Sequence, residues 1–107
     1  YGNKCAVCGI ALVVDSAGTT YSEAGHVQPI GEPFKGPDHL TNILPLCPNH
    51  HKAFDRGGVW IDPNGSTPVV RSATNDKHFD KRKLETVEEH GFDIGFAEWH
   101  AKYFGHL

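Results

Sequence analysis

The sequence lacks any long apolar run, and no segment approaches the roughly 20 consecutive apolar residues that a membrane-spanning helix needs. It also lacks the positively charged and then apolar segment of a secretory signal peptide. We therefore expect no membrane partner. The sequence opens at Tyr1, close to Cys5, and we expect it to be a fragment of a longer protein.

Basic charge is scarce, because 10 lysines and arginines stand against 13 acidic residues and the net charge is −3. A typical nucleic-acid-binding domain is strongly basic, so this balance counts against DNA as a partner. Two bound divalent cations would supply the missing positive charge locally. The basic residues also form a cluster that suits either a solvated surface or phosphate contacts, made of Lys77, Lys81, Arg82 and Lys83.

Cysteine is scarce too, and its odd count of three cannot form a closed set of disulfides within the chain. The cysteines instead belong to two pairs of metal-ligand spacing, Cys5-x2-Cys8 and Cys47-x2-His50, separated by 38 residues. Two such pairs can close a tetrahedral site with four protein ligands, which predicts a structural Zn²⁺ and a reducing, cytoplasmic compartment. His51 lies beside His50 and is an alternative fourth ligand.

The length suits one domain over residues 1–107. Pro48 predicts a helix start and Gly57 the end of that helix, while Asp93 predicts the N-cap of a last helix to about Phe104. One face of this last helix carries Phe96, Trp99, His100 and Tyr103, which we interpret as core packing. We further predict strands at residues 11–14, within 21–30 and at 40–46, a hairpin of 59–61 with 68–71 around the turn Asn64-Gly65, and a helical segment within 80–89.

A second constellation comprises His26, Asn42, His51 and Asp55. His51 and Asp55 stand four positions apart on the predicted helix, so they share a face and can hold one catalytic divalent ion between an imidazole and a carboxylate. We assign His26 as the general base, because a histidine pKa of about 6.5 suits proton uptake from water at neutral pH. Asn42 is assigned to orient the strands and loop that carry the base. Each residue alone could be explained by packing, by a turn or by exposure to water, but together they predict phosphodiester hydrolysis.

Two further basic residues flank the histidine pair. Lys52 follows His51 directly, and Arg56 follows Asp55. Both are candidates for phosphate contacts, with solvated side chains as the alternative interpretation.

These residues resemble the HNH endonuclease family over residues 1–58, and the letters of the family name correspond to His26, Asn42 and His51. The run Glu-Ala-Gly-His-Val-Gln-Pro is similar to the first strand of the family motif, and Asn-Ile-Leu-Pro-Leu-Cys-Pro-Asn-His-His-Lys-Ala-Phe-Asp is similar to its second strand and helix. The resemblance implies an α+β fold with a zinc-stapled ββα-metal core, treble-clef-like, and an accessory β-hairpin and C-terminal helices over residues 59–107. It also implies DNA cleavage to 5′-phosphate and 3′-hydroxyl ends with Mg²⁺ or Mn²⁺, or with Ni²⁺ or Co²⁺.

The sequence departs from the family pattern at two positions. Gly25 stands where many members carry an additional metal ligand, so the ion has fewer protein ligands or Glu23 reaches it through water. His50 stands where the zinc knuckle usually has cysteine, and a neutral imidazole can replace a thiolate on zinc.

A more particular resemblance involves residues 31–38, Gly91-Phe92-Asp93 and Trp99-His100. These segments are similar to HNH domains of modification-dependent restriction enzymes. The resemblance implies modified double-stranded DNA as substrate, a modified-base reader domain in the same parent chain, and a homodimer for double-strand cutting. Two alternatives remain open at this point: a zinc-stabilised DNA-binding module without catalysis, and a zinc-stabilised protein-interaction module.

Overall fold

The computed structural model of the chain describes residues 2–64, 67–73, 82–84 and 90–107, and the α+β class predicted from sequence is confirmed there. Neither α-helix of this described part is long and apolar enough to span a membrane. The strands are β1 (Leu12–Val13), β2 (Thr20–Tyr21), β3 (Glu23–His26), β4 (Ile43–Leu46), β5 (Val59–Asp62), β6 (Val69–Ser72) and β7 (Arg82–Lys83), and the helices are α1 (Pro48–Asp55) and α2 (Ile94–Tyr103).

A β-hairpin and a helix form the unit that positions the site. Strand β3 pairs antiparallel with β4, and His26 lies opposite Ile43 at one end of this ladder. Helix α1 follows β4 almost at once, with Pro48 in its first turn, where the missing N–H of proline costs no hydrogen bond. The helix ends before Gly57, whose φ of +77° is the left-handed conformation that favours glycine. The predicted start and end of this helix are therefore confirmed.

The core lies between this unit and the second half of the chain, and β5 contacts both helices. Apolar side chains at alternate positions of β4 and β5 point into it, as the period of two in a strand requires. The buried residues of this cluster are Cys5, Ala6, Val7, Val27, Leu44, Leu46, Phe54, Val59, Ile61, Val70, Leu84 and Ala97.

The predicted hairpin after α1 is present, because β5 pairs antiparallel with β6. The turn glycine predicted between them, Gly65, lies outside the described residues. The helix predicted within residues 80–89 is wrong at Arg82–Lys83, which instead form β7 and pair with β6. The exposed edge of β6 offers backbone groups that a third strand can satisfy, and this overrides local helix propensity. The remainder of that segment, with Lys77 and Lys81, lies outside the described residues.

The strand predicted over residues 40–46 begins later than expected. Leu40–Asn42 form a 3₁₀ turn capped by the side chain of His39, and the strand starts at Ile43. The turn is closed by a hydrogen bond from the Asn42 N–H to the His39 carbonyl at 2.9 Å.

Helix α2 begins as predicted after Asp93, whose carboxylate accepts a hydrogen bond from the backbone N–H of Gly95 at 2.8 Å. Its buried side chains are Ala97, His100 and Ala101, of which two are small and allow close approach to β5. Tyr103 is 55% exposed. The interpretation of the aromatic stripe as core is therefore wrong for this residue.

His100 is a buried histidine that joins the two helices. It is 2% exposed, stacks on Phe54 with ring centroids 3.9 Å apart, and its Nε2 lies 2.7 Å from the Phe54 carbonyl oxygen. That carbonyl belongs to the last turn of α1 and also accepts a hydrogen bond from the Gly57 N–H at 3.1 Å. Burial lowers the pKa of His100 to about 4, despite the opposing hydrogen bond to Phe54.

We expect acid to destabilise the fold through His100. Between about pH 6.5 and pH 4 the unfolded chain binds a proton at this residue that the folded chain excludes, so stability falls as the pH falls through this window. Between pH 7.5 and pH 5 the loss from this group is about 2 kcal/mol. Urea unfolding at both pH values measures it. The matched variant His100→Gln keeps an N–H donor without a titrating ring and should lose about that much less, whereas equal losses in both proteins would contradict the assignment.

Candidate active site and metal centre

The first group of candidate ligands closes into a compact cluster. One ligand atom each from Cys5, Cys8, Cys47 and His50 lies within 4.8 Å of all the others. The Nδ1 atom of His50 is 3.2 Å from the sulfur of Cys47 and 3.8 Å from that of Cys5. A tetrahedral zinc with ordinary bond lengths would place its sulfurs about 3.8 Å apart and nitrogen about 3.6 Å from sulfur. The four donors therefore fit one metal ion such as zinc.

The local backbone explains how these donors meet. The knuckle that carries Cys5 is closed by a hydrogen bond from Gly9 N–H to the Cys5 carbonyl and is tied to β4 by one from Ala6 N–H to the Pro45 carbonyl. Cys47 is the N-cap of α1, so His50 falls in its first turn. A metal bound here would link the N-terminal knuckle to the helix.

The thiols of the cluster are crowded in a way that a cation would relieve. Burial raises the pKa of Cys8 to about 12 and also raises that of Cys47, and the neighbouring charge of Cys5 adds to both. Burial likewise opposes ionisation of Cys5, but hydrogen bonds led by that from His50 outweigh it and lower its pKa to about 6. Three thiolates at this spacing repel one another without a positive charge between them.

The second group of candidates meets at one cavity. His26, at the end of β3, and His51 and Asp55, on α1, all line a cavity of about 480 Å³. The Nε2 atom of His51 lies 3.5 Å from a carboxylate oxygen of Asp55. The structure thus brings three of the four predicted residues to the same open space.

The ring of His51 lies between two carboxylates. Its Nδ1 is 2.9 Å from Glu23 Oε1, and because a carboxylate only accepts, Nδ1 carries the hydrogen and donates it. In the neutral ring Nε2 then holds a lone pair, which faces the carboxylate of Asp55. Two electron-rich atoms face each other across 3.5 Å, an arrangement that a cation between them stabilises.

The spacing and position of these two atoms fit one divalent ion. Ligand atoms about 2.1 Å from a shared ion lie about 3.0 Å apart in octahedral and about 3.4 Å apart in tetrahedral geometry. Asp55 is also the last residue of α1, where the negative end of the helix dipole disfavours an unpaired carboxylate. A cation at this position would compensate both the close approach of the two atoms and the unfavourable place of the carboxylate at the helix end.

Glu23 does not reach towards the cation position. It contacts the ring nitrogen of His51 on the edge opposite to Asp55, and its other oxygen accepts a hydrogen bond from the Tyr21 hydroxyl at 2.8 Å. The hydrogen bond from His51, with that from Tyr21, keeps the pKa of Glu23 below its usual value. Glu23 is therefore placed to orient the ring of His51, and the expectation that it reaches a bound ion through water stays a prediction.

Gly25 itself has a steric explanation. A Cβ atom at this position would lie 2.7 Å from the Cδ1 of Leu46 and 3.4 Å from the Nε2 of His51. A side chain here would press on Leu46 and would lie in contact with the ring of His51. Glycine lets the backbone of β3 pack against the His51 ring, but it has no side chain that could bind a metal ion.

The partner of His26 could not be predicted from the sequence. The Nε2 of His26 lies 2.9 Å from an Asp38 carboxylate oxygen, so in the neutral ring Nε2 carries the hydrogen and Nδ1 holds the lone pair. Asp38 is 12 positions further along the chain, at the end of a loop, and no spacing rule connects the two. Such a pairing is visible only when the path of the loop is known.

Asn42 is fully buried and lies away from the cavity surface, where it ties loop segments together. Its side-chain oxygen accepts from Gln28 N–H at 2.9 Å, and its amide donates to the carbonyls of Gln28 at 2.8 Å and Pro37 at 2.9 Å. These bonds connect the start and the end of the loop between His26 and Asp38. Asn42 thereby holds both members of that pair through the backbone.

Lys52 and Arg56 are both exposed on or just after α1. Neither forms an ion pair with another residue in the described part of the chain. Both are therefore free to contact an anion, although the structure does not bring them to the cavity lining.

Comparisons with known proteins identify a family. A family model described as HNH endonuclease matches residues 5–62, more than half of the chain. Among solved structures, the chain is similar to a "Modification dependent TagI restriction endonuclease", with a TM-score of 0.80 and 32% sequence identity. That match covers 96% of this chain and 34% of the restriction endonuclease, so the chain spans about a third of its length. No curated protein matches the chain.

Proposed function

Because the chain belongs to the HNH endonuclease family and is thus a DNA-cleaving hydrolase, we propose that it cuts with one divalent ion held by His51 and Asp55 and with His26 as the general base. The observation that carries this proposal is the cavity that His26, His51 and Asp55 line together. A phosphodiesterase mechanism needs a proton acceptor and a cation in the same open space, and these three residues can supply both.

His26 would take the proton from the attacking water. The hydrogen bond to Asp38 fixes the hydrogen on Nε2 and leaves the lone pair of Nδ1 as the proton acceptor. Asp38 then stabilises the imidazolium that forms, as a carboxylate partner does for a catalytic histidine. Asn42 would position both residues through the loop that it ties.

His51 and Asp55 would hold the catalytic ion, with Mg²⁺ or Mn²⁺ as the first candidates and Ni²⁺ or Co²⁺ as others. When bound, such an ion supplies Lewis acidity to the scissile phosphate and charge neutralisation for the departing 3′ oxygen. Two protein ligands leave most of its coordination positions to water and phosphate. Lys52 and Arg56 would contact neighbouring phosphates, which suits their exposure and freedom from ion pairs in the described residues.

The cysteine cluster would hold a structural zinc ion. Four protein donors leave no open position for substrate, which is typical of structural rather than catalytic zinc. Thiolate ligands need a reducing compartment, so we propose a cytoplasmic location. We propose further that residues 1–107 form one domain, with the ββα-metal core at about 1–58 and accessory elements after it.

The parent protein would be a modification-dependent restriction enzyme. The support is the likeness to the TagI enzyme, of which this chain covers about a third. A reader domain for modified bases in the same parent chain, modified double-stranded DNA as substrate and a homodimer for double-strand cutting belong to this proposal. The chain itself would leave 5′-phosphate and 3′-hydroxyl ends.

A plasmid nicking assay tests the proposed activity. Supercoiled DNA incubated with the protein and Mg²⁺ or Mn²⁺ should become nicked, and excess EDTA should prevent it. DNA ligase should reseal the nicks, because it requires a 5′-phosphate beside a 3′-hydroxyl. DNA binding without nicking under any of the four candidate ions would instead favour a non-catalytic DNA-binding module, which the missing ligand at Gly25 would then explain.

We expect Glu23→Ala to weaken the catalytic ion site. Without its carboxylate, His51 loses the partner that fixes its tautomer and ring orientation, so the metal concentration for half-maximal nicking should rise about 10- to 100-fold. At saturating metal the rate should largely recover. Glu23→Gln keeps an oxygen that accepts from Nδ1 and should shift the curve less, and Glu98→Gln, a surface glutamate on α2, should leave it unchanged. An unshifted curve for Glu23→Ala would remove Glu23 from the site.

A further inference from the structure

A second, smaller cavity opens beside the proposed catalytic one. It has a volume of about 190 Å³ and shares His26 and Asp55 with the larger cavity. Its other wall contains the ring of Phe34, from the loop after β3, and the rings of Trp99 and Tyr103, from α2. We call the cavity lined by these three rings the aromatic pocket.

The rings of the aromatic pocket are held in defined orientations. Trp99 and Tyr103 lie nearly parallel, with centroids 5.1 Å apart and an interplanar angle of 11°. Phe34 meets both edge-on, at 5.8 Å from Trp99 and 5.1 Å from Tyr103. These are the offset-stacked and T-shaped geometries that aromatic rings prefer. The loop that carries Asp38 is thus braced against α2 by Phe34.

This packing of the rings does not fill the pocket. Tyr103 remains 55% exposed although its ring belongs to the cluster. A volume of about 190 Å³ is more than ten times the 10–15 Å³ or so that one ordered water requires, and it is smaller than the roughly 300 Å³ at which drug-sized sites begin. The space therefore suits a single ring-sized group.

We propose that the aromatic pocket binds the base of a nucleotide next to the scissile phosphate, turned out of the DNA stack. The inference rests on the proposed function, because it places the phosphate at the cavity that His26 and Asp55 share with the pocket. A DNA strand carries one base for each phosphate, so a strand with its phosphate in the larger cavity also supplies a base beside the pocket. Aromatic side chains accept any base by stacking, which requires no sequence readout.

A base that already lies outside the duplex tests this directly. Two short duplexes are compared, one with a single bulged adenosine and one with an abasic nucleotide at the same bulge, so that only the base differs. Base-on-aromatic stacking corresponds to about 5- to 150-fold in affinity. The protein should bind the adenosine bulge more tightly by a factor in this range, as measured by fluorescence anisotropy.

Variants then assign the preference to the pocket. Tyr103→Ala should reduce the preference to nearly one, Tyr103→Phe should keep it, and Leu107→Ala, at another exposed apolar residue, should not change it. Phe34→Leu, which keeps apolar packing but removes a ring, provides a second variant if Tyr103→Ala does not fold. A merely structural role would weaken binding to both duplexes equally and leave the preference intact.

The outcomes separate the two proposals. No preference in the unaltered protein, or a preference that survives both Tyr103→Ala and Phe34→Leu, overturns the base-binding pocket. A preference lost in these variants supports it even if the protein nicks neither duplex, and failure to nick would count against the proposed activity alone.

Discussion

Replacing His26 by alanine is expected to slow DNA nicking by at least about 100-fold, while the fold and the metal content remain unchanged. General-base catalysis contributes about 10²- to 10⁴-fold, and no other described residue of the cavity offers a neutral imidazole to the attacking water. His51 cannot replace it, because one of its nitrogens donates to Glu23 and the other faces Asp55. The measurement is the single-turnover nicking rate at saturating Mg²⁺ or Mn²⁺.

A nearby histidine provides the control. His39 is exposed and caps the turn Leu40–Asn42, and His39→Asn removes an imidazole while retaining a side chain that can cap the turn. This variant should nick at nearly the unaltered rate. Equal rates for His26→Ala and the unaltered protein would show that another group, or hydroxide from solution, serves as the base. A loss of rate with a lowered melting temperature would show a structural role instead.

The local part of the site could be predicted from the sequence. The positions of His51 and Asp55 follow from the 3.6-residue period of a helix, whose start and end Pro48 and Gly57 mark in the sequence. The two pairs of candidate metal ligands are likewise local, because each spans a single turn. The structure also separates the adjacent histidines, with His50 towards the cysteines and His51 towards Glu23 and the cavity.

The parts that could not be predicted depend on how distant segments meet. Asp38 reaches His26 at the end of a loop whose two ends are tied together by Asn42. Glu23 contacts His51 across 28 positions, and this contact follows from the packing of β3 on α1. No residue spacing encodes either contact, although both determine which ring nitrogen carries the hydrogen.

The interpretation of α2 shows a limit of periodicity arguments. A stripe of aromatic residues at helical spacing indicates a common face, but it does not say how much of that face is covered. The small residues Ala97 and Ala101 make the close contacts, and Tyr103 is left largely open beside the cavity. Burial depends on the partner surface, which only the tertiary structure supplies.

Loss of the metal at the cysteine cluster is expected to unfold the domain. Binding of a structural zinc contributes on the order of 10 kcal/mol to folding, which is comparable to the roughly 5–15 kcal/mol total stability of a small domain. Cys8→Ala should therefore abolish cooperative thermal unfolding, because it opens the site that links the N-terminal knuckle to α1. Removal of zinc with a strong chelator should have the same effect, followed by circular dichroism and by the metal content per chain.

The fourth ligand provides the sharpest control for this prediction. His50→Cys offers a thiolate in place of an imidazole and should retain one zinc and most of the stability, whereas His50→Ala should lose both. Asn49→Ala changes an exposed neighbour in the same helical turn and should have little effect. Because Mg²⁺ prefers oxygen ligands, adding it back after chelation should not restore the fold, which separates this site from the one at His51 and Asp55. A chelated protein that unfolds at an unchanged temperature would mean that the apolar core and not the metal holds the knuckle to α1, and the cluster would then be three reduced cysteines and a histidine without a structural ion.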